Sequence, residues 1–252
     1  MNLKRLGRNW QHLATTDPHW AILTDDEHKR GKWDEAQFYA TGVREVELLL
    51  SRMQQLQLPR AHERALDFGC GAGRITIPLA DHFDEAVGVD IAPAMVALAT
   101  KRAAERNCRF LLNTAPDLSV LEDQSFDFVY SRLVLQHIPP HYTRKYLREF
   151  IRVTRPGGVI MFQLPTPTLY RVPKGRFART LPPALVTGAR SLRRAVERVV
   201  RPDTASFMED YGLTRDETVA ILTSQGGHPL EIVADSSHGP NRPGFEYWVS
   251  IP

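Results

Sequence analysis

Cysteine is nearly missing from this 252-residue chain: only Cys70 and Cys108 occur. Two are too few for a disulfide framework and lack the clustered spacing of a zinc site, so a reducing, cytoplasmic setting is the expectation. Long apolar runs are missing too. Nowhere do about 18 apolar residues follow one another, and the opening MNLKRLGRNWQHLATTDPHW has basic residues without an apolar secretion-signal stretch. Neither export nor membrane spanning is expected. A surplus of one charge is also lacking: 32 Lys and Arg face 29 Asp and Glu, a net of +3, which selects no partner by itself. Core-forming material is present in ordinary measure, 42% hydrophobic against 24% charged, and this excludes a wholly disordered or fibrous protein.

Phe38, Val43, Val46, Leu49, Leu50 and Met53 recur at near-helical intervals, predicting a helix from Asp34 to about Leu56 that Pro59 closes. Beyond it, short β-type runs alternate with helical stretches: Arg64–Phe68 then Arg74–Asp81, Glu85–Asp90 then Pro93–Arg106. The series continues with Cys108–Leu112, Ser125–Ser131, a helix from about His141 to Val153, and Val159–Leu164. Such alternation indicates βαβ units, a mostly parallel sheet and right-handed crossovers, hence an α/β doubly wound sandwich with helices on both faces. A helix around Thr214–Ser224 precedes two closely spaced strands, His228–Ala234 and Phe245–Ile251. With no helix between them they must pair antiparallel, which predicts seven strands, six parallel and one antiparallel in a terminal hairpin. Residues 1–58 form a helical lid or cap segment in this reading, and 59–252 the sheet domain with an insert at 165–213.

That insert carries the local charge. Between Arg171 and Pro202 nine Lys or Arg accompany one acid, Glu197, and Leu185, Ala189, Leu192, Val196 and Val199 mark one stripe of a basic amphipathic helix at 183–201. Three readings stay open: a solvated cover over an acceptor pocket, a docking surface for an anionic acceptor or partner, or a helix lying on anionic lipid. Nucleic acid is not an expected partner, since no aromatic-interleaved basic platform or RNA-binding module is found.

The most informative segment is ALDFGCGAGRITIPLA, residues 65–80. A β-run ends at Phe68, and glycines at 69, 71 and 73 let the backbone turn sharply and approach a ligand. Asp90, at the end of the next strand, stands where a carboxylate can accept hydrogen bonds from ribose hydroxyls. Dinucleotide sites want GxGxxG, but Arg74 occupies the third glycine's place. Asp67 beside the loop also disfavours a phosphate and suits a cation such as a sulfonium or ammonium.

DFGCGAG, VGVDIAPAMVALA, SFDFVYSRLVLQHI and REFIRVTRPGGVIMFQLP together resemble, in order, the four signatures of class I S-adenosylmethionine-dependent methyltransferases. The resemblance is strong over roughly residues 60–165. It implies a Rossmann-like fold, S-adenosylmethionine as cofactor and S-adenosylhomocysteine as product. It implies that Asp67, Gly69, Gly71 and Gly73 surround the methionine part, that Asp90 holds the ribose, that Ile91 and Met95 flank the adenine, and that Thr114, Ala115 and Ser131 add further contacts. Many members carry an acid near the adenine amine where this chain reads Asn113, Thr114 and Ala115.

A sulfonium methyl is already activated, so the protein needs mainly to align donor and acceptor and exclude water. For a hydroxyl acceptor a positioned base adds rate, and His137, after the fourth strand, is the candidate, against a structural role before Pro139-Pro140. Gln163 is a candidate for acceptor or cofactor contact. Asp235 and His238 are read as solvated rather than as a metal site, and no metal is expected. The expected acceptor is a hydroxyl of a small molecule, a sugar or glycan, or a secondary metabolite, with N- or C-methylation and a non-catalytic, partner- or membrane-associated role as alternatives. Trp20, Trp33, Phe38 and Tyr39 suit either a lid or an N-terminal helix packed on the sheet.

Overall fold

β1 (Arg64–Phe68), β2 (Glu85–Asp90), β3 (Cys108–Leu112) and β4 (Phe126–Ser131) pair in parallel, with β1 between β2 and β4. β4 is buried at every position, as befits a strand covered on both faces. β5 (Thr154–Pro165) joins β4 in parallel, and β7 (Gly244–Ser250) runs antiparallel between β5 and β6 (His228–Asp235). The order is β3-β2-β1-β4-β5-β7-β6, which is the six-plus-one sheet predicted above. The computed structural model describes residues 1–24, 26–104, 106–167, 210–235 and 243–252. Residues 168–209 of the insert read at 165–213, with the expected helix at 183–201, and His238 lie outside these.

Two helices precede the long N-terminal one. α1 (Leu3–Thr16) starts at Asn2, whose Oδ1 accepts from the Arg5 amide at 3.0 Å, and α2 (Pro18–Ile22) follows with Pro18 in its first turn. α3 (Glu35–Leu56) is capped by Asp34, which accepts from the Gln37 amide at 2.9 Å. Its Val46, Leu49 and Met53 pack on one face of the sheet against Phe128, Tyr130, Met161 and Trp248. The opposite face takes Leu147, Phe150 and Ile151 of α6 (Pro140–Val153), Leu222 of α7 (Arg215–Ser224), and Leu3 and Leu6 of α1. Burying a Leu or Phe side chain contributes about 1.5–3 kcal/mol each, so both faces are firmly held.

After the glycine loop the regular helix α4 is only Thr76–Leu79, shorter than the Arg74–Asp81 stretch expected. Pro78 has no N–H to offer the Arg74 carbonyl, and Gly42 of α3 sits so close that a Cβ there would lie 1.9 Å from that oxygen. α5 (Pro93–Arg102) likewise stops four residues before the predicted Arg106.

Candidate active site

β1 delivers the chain to a turn at its carboxyl end, where the Gly69 and Cys70 amides both donate to the Val89 carbonyl at 2.7 and 3.1 Å. Gly69 has φ +80° and Gly71 φ +52°, a region open to glycine at little cost. A Cβ on Gly69 would stand 2.3 Å from Cγ2 of Val134, and one on Gly71 2.6 Å from Cδ1 of Ile22. Bare backbone is what lets the segment after β4 and the tip of α2 close over the loop. Asp90 pins it from the side: its Oδ2 accepts from the Gly71 amide at 2.9 Å and its Oδ1 from the Ala92 amide at 2.8 Å. Burial pushes the Asp90 carboxyl above its usual range, against the pull of those amides.

A cavity opens above this loop. Asp67 and Asp90 line it on the loop side, Ile91 and Met95 beside them, and Leu6, Trp10 and Ile22 form a wall from the N-terminal helices. α1 is fastened there by Gln11, whose Oε1 accepts from the Ala94 amide at 2.9 Å at the start of α5. Asp67 is 3% exposed. Burial pushes its pKa up to about 7, although the hydrogen bond from Thr76 and the charge of Arg74 oppose the rise. A carboxylate so enclosed takes its charge readily when a cation comes to face it.

The other end is built on Glu45 of α3. Its Oε2 pairs with Nη2 of Arg74 at 2.8 Å, and its Oε1 with Nη1 of Arg132 at 3.1 Å; the Tyr130 hydroxyl donates to the same Oε1. Burial alone would raise the Glu45 pKa, but the two guanidiniums and the Tyr130 hydroxyl hold it below the usual range. Arg74, Tyr130 and Arg132 all line the cavity. Arg132 also meets Glu246 of β7 at 3.4 Å. Just beyond it Leu133 takes φ +62°, a conformation costing about 1–3 kcal/mol in a residue other than glycine. Gln163 of β5 holds that turn by accepting from the Leu133 amide at 3.0 Å, and its own amide donates to Asp235.

Of the residues singled out from sequence, Asp67, Gly69, Gly71, Asp90, Ile91 and Met95 line this cavity. Gly73, Thr114, Ala115, Ser131 and His137 are not among the lining residues, each for a visible reason. Gly73 packs on Phe110, Ile77 and Ala99. The Ala115 carbonyl accepts from the Tyr146 hydroxyl at 2.6 Å, and its amide donates to the Asn113 side chain at 3.0 Å. That places Asn113, rather than Thr114 or Ala115, at the cavity. The Ser131 hydroxyl is spent on the Phe68 carbonyl at 3.1 Å, tying β4 to β1. His137 stands one layer back, its ring 5.1 Å from that of Trp10, with Nε2 3.0 Å from the Gln136 amide nitrogen and Nδ1 3.6 Å from Asp210. Cys70 does line the cavity, but burial raises its thiol pKa well above the ordinary value, so it is no ready nucleophile. Among the described residues no group of three or more His, Cys, Asp or Glu is placed to hold a metal ion. No helix among them is long and apolar enough to cross a membrane.

Sequence reasoning missed Glu45 and Arg74 as site residues. A signal was there: Glu45 falls seven residues after Phe38 and four before Leu49, a lone acid at helical spacing on the apolar stripe. A charge on such a face needs a buried partner.

The sheet order and the glycine turn at the tip of β1, with Asp90 at the tip of β2, define a class I methyltransferase fold. Residues 66–162 match the methyltransferase domain family. Trans-aconitate 2-methyltransferase of Deinococcus radiodurans is 36% identical over 115 residues, 45% of this chain and 42% of that protein. The Streptomyces coelicolor enzyme of the same name is 30% identical over 201 residues, 77% of this chain and 61% of that protein. The chain thus spans less than two thirds of either relative. Among solved structures, magnesium protoporphyrin IX methyltransferase from Synechocystis PCC 6803 with bound S-adenosylmethionine superposes with a TM-score of 0.60 at 17% identity, covering 99% of this chain and 98% of that one. At that identity the likeness is one of fold.

Proposed function

We propose that the chain is an S-adenosylmethionine-dependent methyltransferase that places a methyl group on an oxygen of a small molecule. The observation that carries the reading is the joint presence, in one cavity, of the bare glycine turn, the buried Asp67 and the loop-anchoring Asp90. These residues fit the cofactor: Asp67 offers an enclosed charge to its cationic methionine end, Gly69 and Gly71 leave room for close approach, and Ile91 and Met95 give apolar surface to a base. When bound, the cofactor supplies a methyl group already activated on sulfonium sulfur. The chain's own residues then orient and enclose. Asp90 keeps the loop in place through two amides, and Trp10, Leu6 and Ile22 shield the cavity from water on the N-terminal side. Holding the reactants at about 3 to 3.5 Å can lower the barrier by about 7–11 kcal/mol, enough that no group of unusual reactivity is called for.

Calorimetry with S-adenosylhomocysteine, together with transfer of labelled methyl to an acceptor library followed as a 14 Da gain, tests the reading. Saturable binding with a methylated product is expected. Binding of neither S-adenosylhomocysteine nor S-adenosylmethionine, or preferential stabilisation by NAD, would overturn it.

A further inference from the structure

We propose that Arg132 anchors the acceptor, and that the acceptor bears a carboxylate whose oxygen receives the methyl group. This rests on the methyl-transfer reading above and adds the substrate class.

Arg132 directly follows Ser131, the last residue of β4, on the carboxyl edge of the sheet where the cavity opens. Among the described residues its guanidinium is held by one hydrogen bond, Nη1 to Glu45 at 3.1 Å, and by one looser ion-pair contact, Nη2 to Glu246 at 3.4 Å. A guanidinium has five N–H donors in a planar fork, so most of the fork is left for a ligand, and its geometry matches a carboxylate two-on-two. Glu246 meets that fork through the single Nη2 contact. Burial raises its carboxyl pKa, and the neighbouring charges of Asp235 and Glu45 act in the same direction against the pull of Arg132. Glu45, by contrast, is shared with Arg74 and stays ionised. Arg74 and Arg132 thus face two carboxylates, Glu45 and Glu246, so these charges nearly cancel, and what Arg132 offers a ligand is unused N–H donors rather than net charge.

The protonation states around the cavity agree with an acceptor that arrives deprotonated. Burial pushes the hydroxyl of Tyr130 well above its ordinary pKa and that of Tyr146 upward as well, and the Cys70 thiol is likewise raised. All three line the cavity and keep their protons at neutral pH. A carboxylate needs none of them as a base. One of its oxygens gives a lone pair to the methyl carbon as the carbon–sulfur bond breaks and that electron pair stays on sulfur; charge balances and no proton moves. The left-handed turn at Leu133, held by Gln163, fixes the backbone that carries Arg132, in keeping with strain retained at working sites.

The test has two arms. In the first, the protein is titrated with S-adenosylhomocysteine alone; failure here overturns the methyltransferase reading itself. In the second, protein saturated with S-adenosylhomocysteine is titrated with tricarballylate and with its trimethyl ester. Tricarballylate is expected to bind and the ester not to. Arg132→Gln should weaken tricarballylate by about tenfold or more while S-adenosylhomocysteine affinity stays within about twofold, and Arg132→Lys should recover part of the loss. Equal binding of acid and ester, no binding of the acid by the saturated wild type, or an equal loss of S-adenosylhomocysteine affinity in Arg132→Gln would overturn the assignment. Should Arg132→Gln not fold, the acid–ester comparison on wild type and the Arg132→Lys titration decide it.

Discussion

The hydroxyl of Thr76 donates to Oδ2 of Asp67 at 2.6 Å, so the first helical turn after the glycine loop reaches back to the carboxylate that the loop encloses. Burial is the larger influence on Asp67 and sets its pKa at about 7 instead of 3.8. A carboxyl with a raised pKa favours the folded state most when it is protonated. Its contribution is present below about pH 4 and is lost as pH rises through about 7. The unliganded wild type should therefore lose stability relative to Asp67→Asn across that window, as read by paired melting curves. A cationic ligand favours the ionised form, so S-adenosylmethionine affinity should rise with pH and level off above about 7, and Asp67→Asn should flatten the profile. An unchanged profile in the variant would remove Asp67 from the cofactor site.

Asp90→Ala strips two amides, those of Gly71 and Ala92, of their acceptor. Hydrogen bonds to a charged group contribute about 1.5–3 kcal/mol each, so S-adenosylhomocysteine affinity should fall by about tenfold or more with circular dichroism unaltered. Affinity equal to the parent's in calorimetry would contradict the role given to this carboxylate.

Gly69→Ala places a methyl group 2.3 Å from Cγ2 of Val134 at a φ of +80°. Overpacking of this kind costs about 1–3 kcal/mol, and cofactor binding should weaken with it. Because the clash has a single named partner, Gly69→Ala combined with Val134→Ala should recover part of the stability, which a double-mutant cycle of melting temperatures measures.

His137 lies behind Trp10 and beside Asp210, a placement that makes it a positioning residue for the cavity wall. His137→Ala should lower stability by about 1–3 kcal/mol and reduce kcat by less than about tenfold, without altering the shape of the pH–rate profile. A loss of two or more decades in kcat with stability intact, together with disappearance of the acidic limb of that profile, would identify it as a base instead.

The first three strands were legible to the residue: Arg64–Phe68, Glu85–Asp90 and Cys108–Leu112 are short runs with apolar interiors, and parallel pairing leaves little freedom at their ends. The glycine loop and Asp90 were legible for the same local reason, since turn geometry and strand-end position are written in neighbouring residues. Less was legible where the determining contact is distant in sequence. Arg74 continues the loop instead of opening a full helix because Gly42 and Glu45, about thirty residues earlier, pack against it. Asn113 reaches the cavity through a side chain folded back onto Ala115 and Asp117. His137 read as cavity-facing from its place after β4; what sets it back is Trp10, on a helix whose docking no local pattern announces.

Leu6, Trp10 and Ile22 are part of the wall itself, with Ile22 resting on the glycine turn. The first two dozen residues of the chain thus supply one wall of the cavity, although every signature motif lies after residue 60. The Gln11–Ala94 hydrogen bond ties that wall to the start of α5, so the shape of the cavity depends on a contact made outside it.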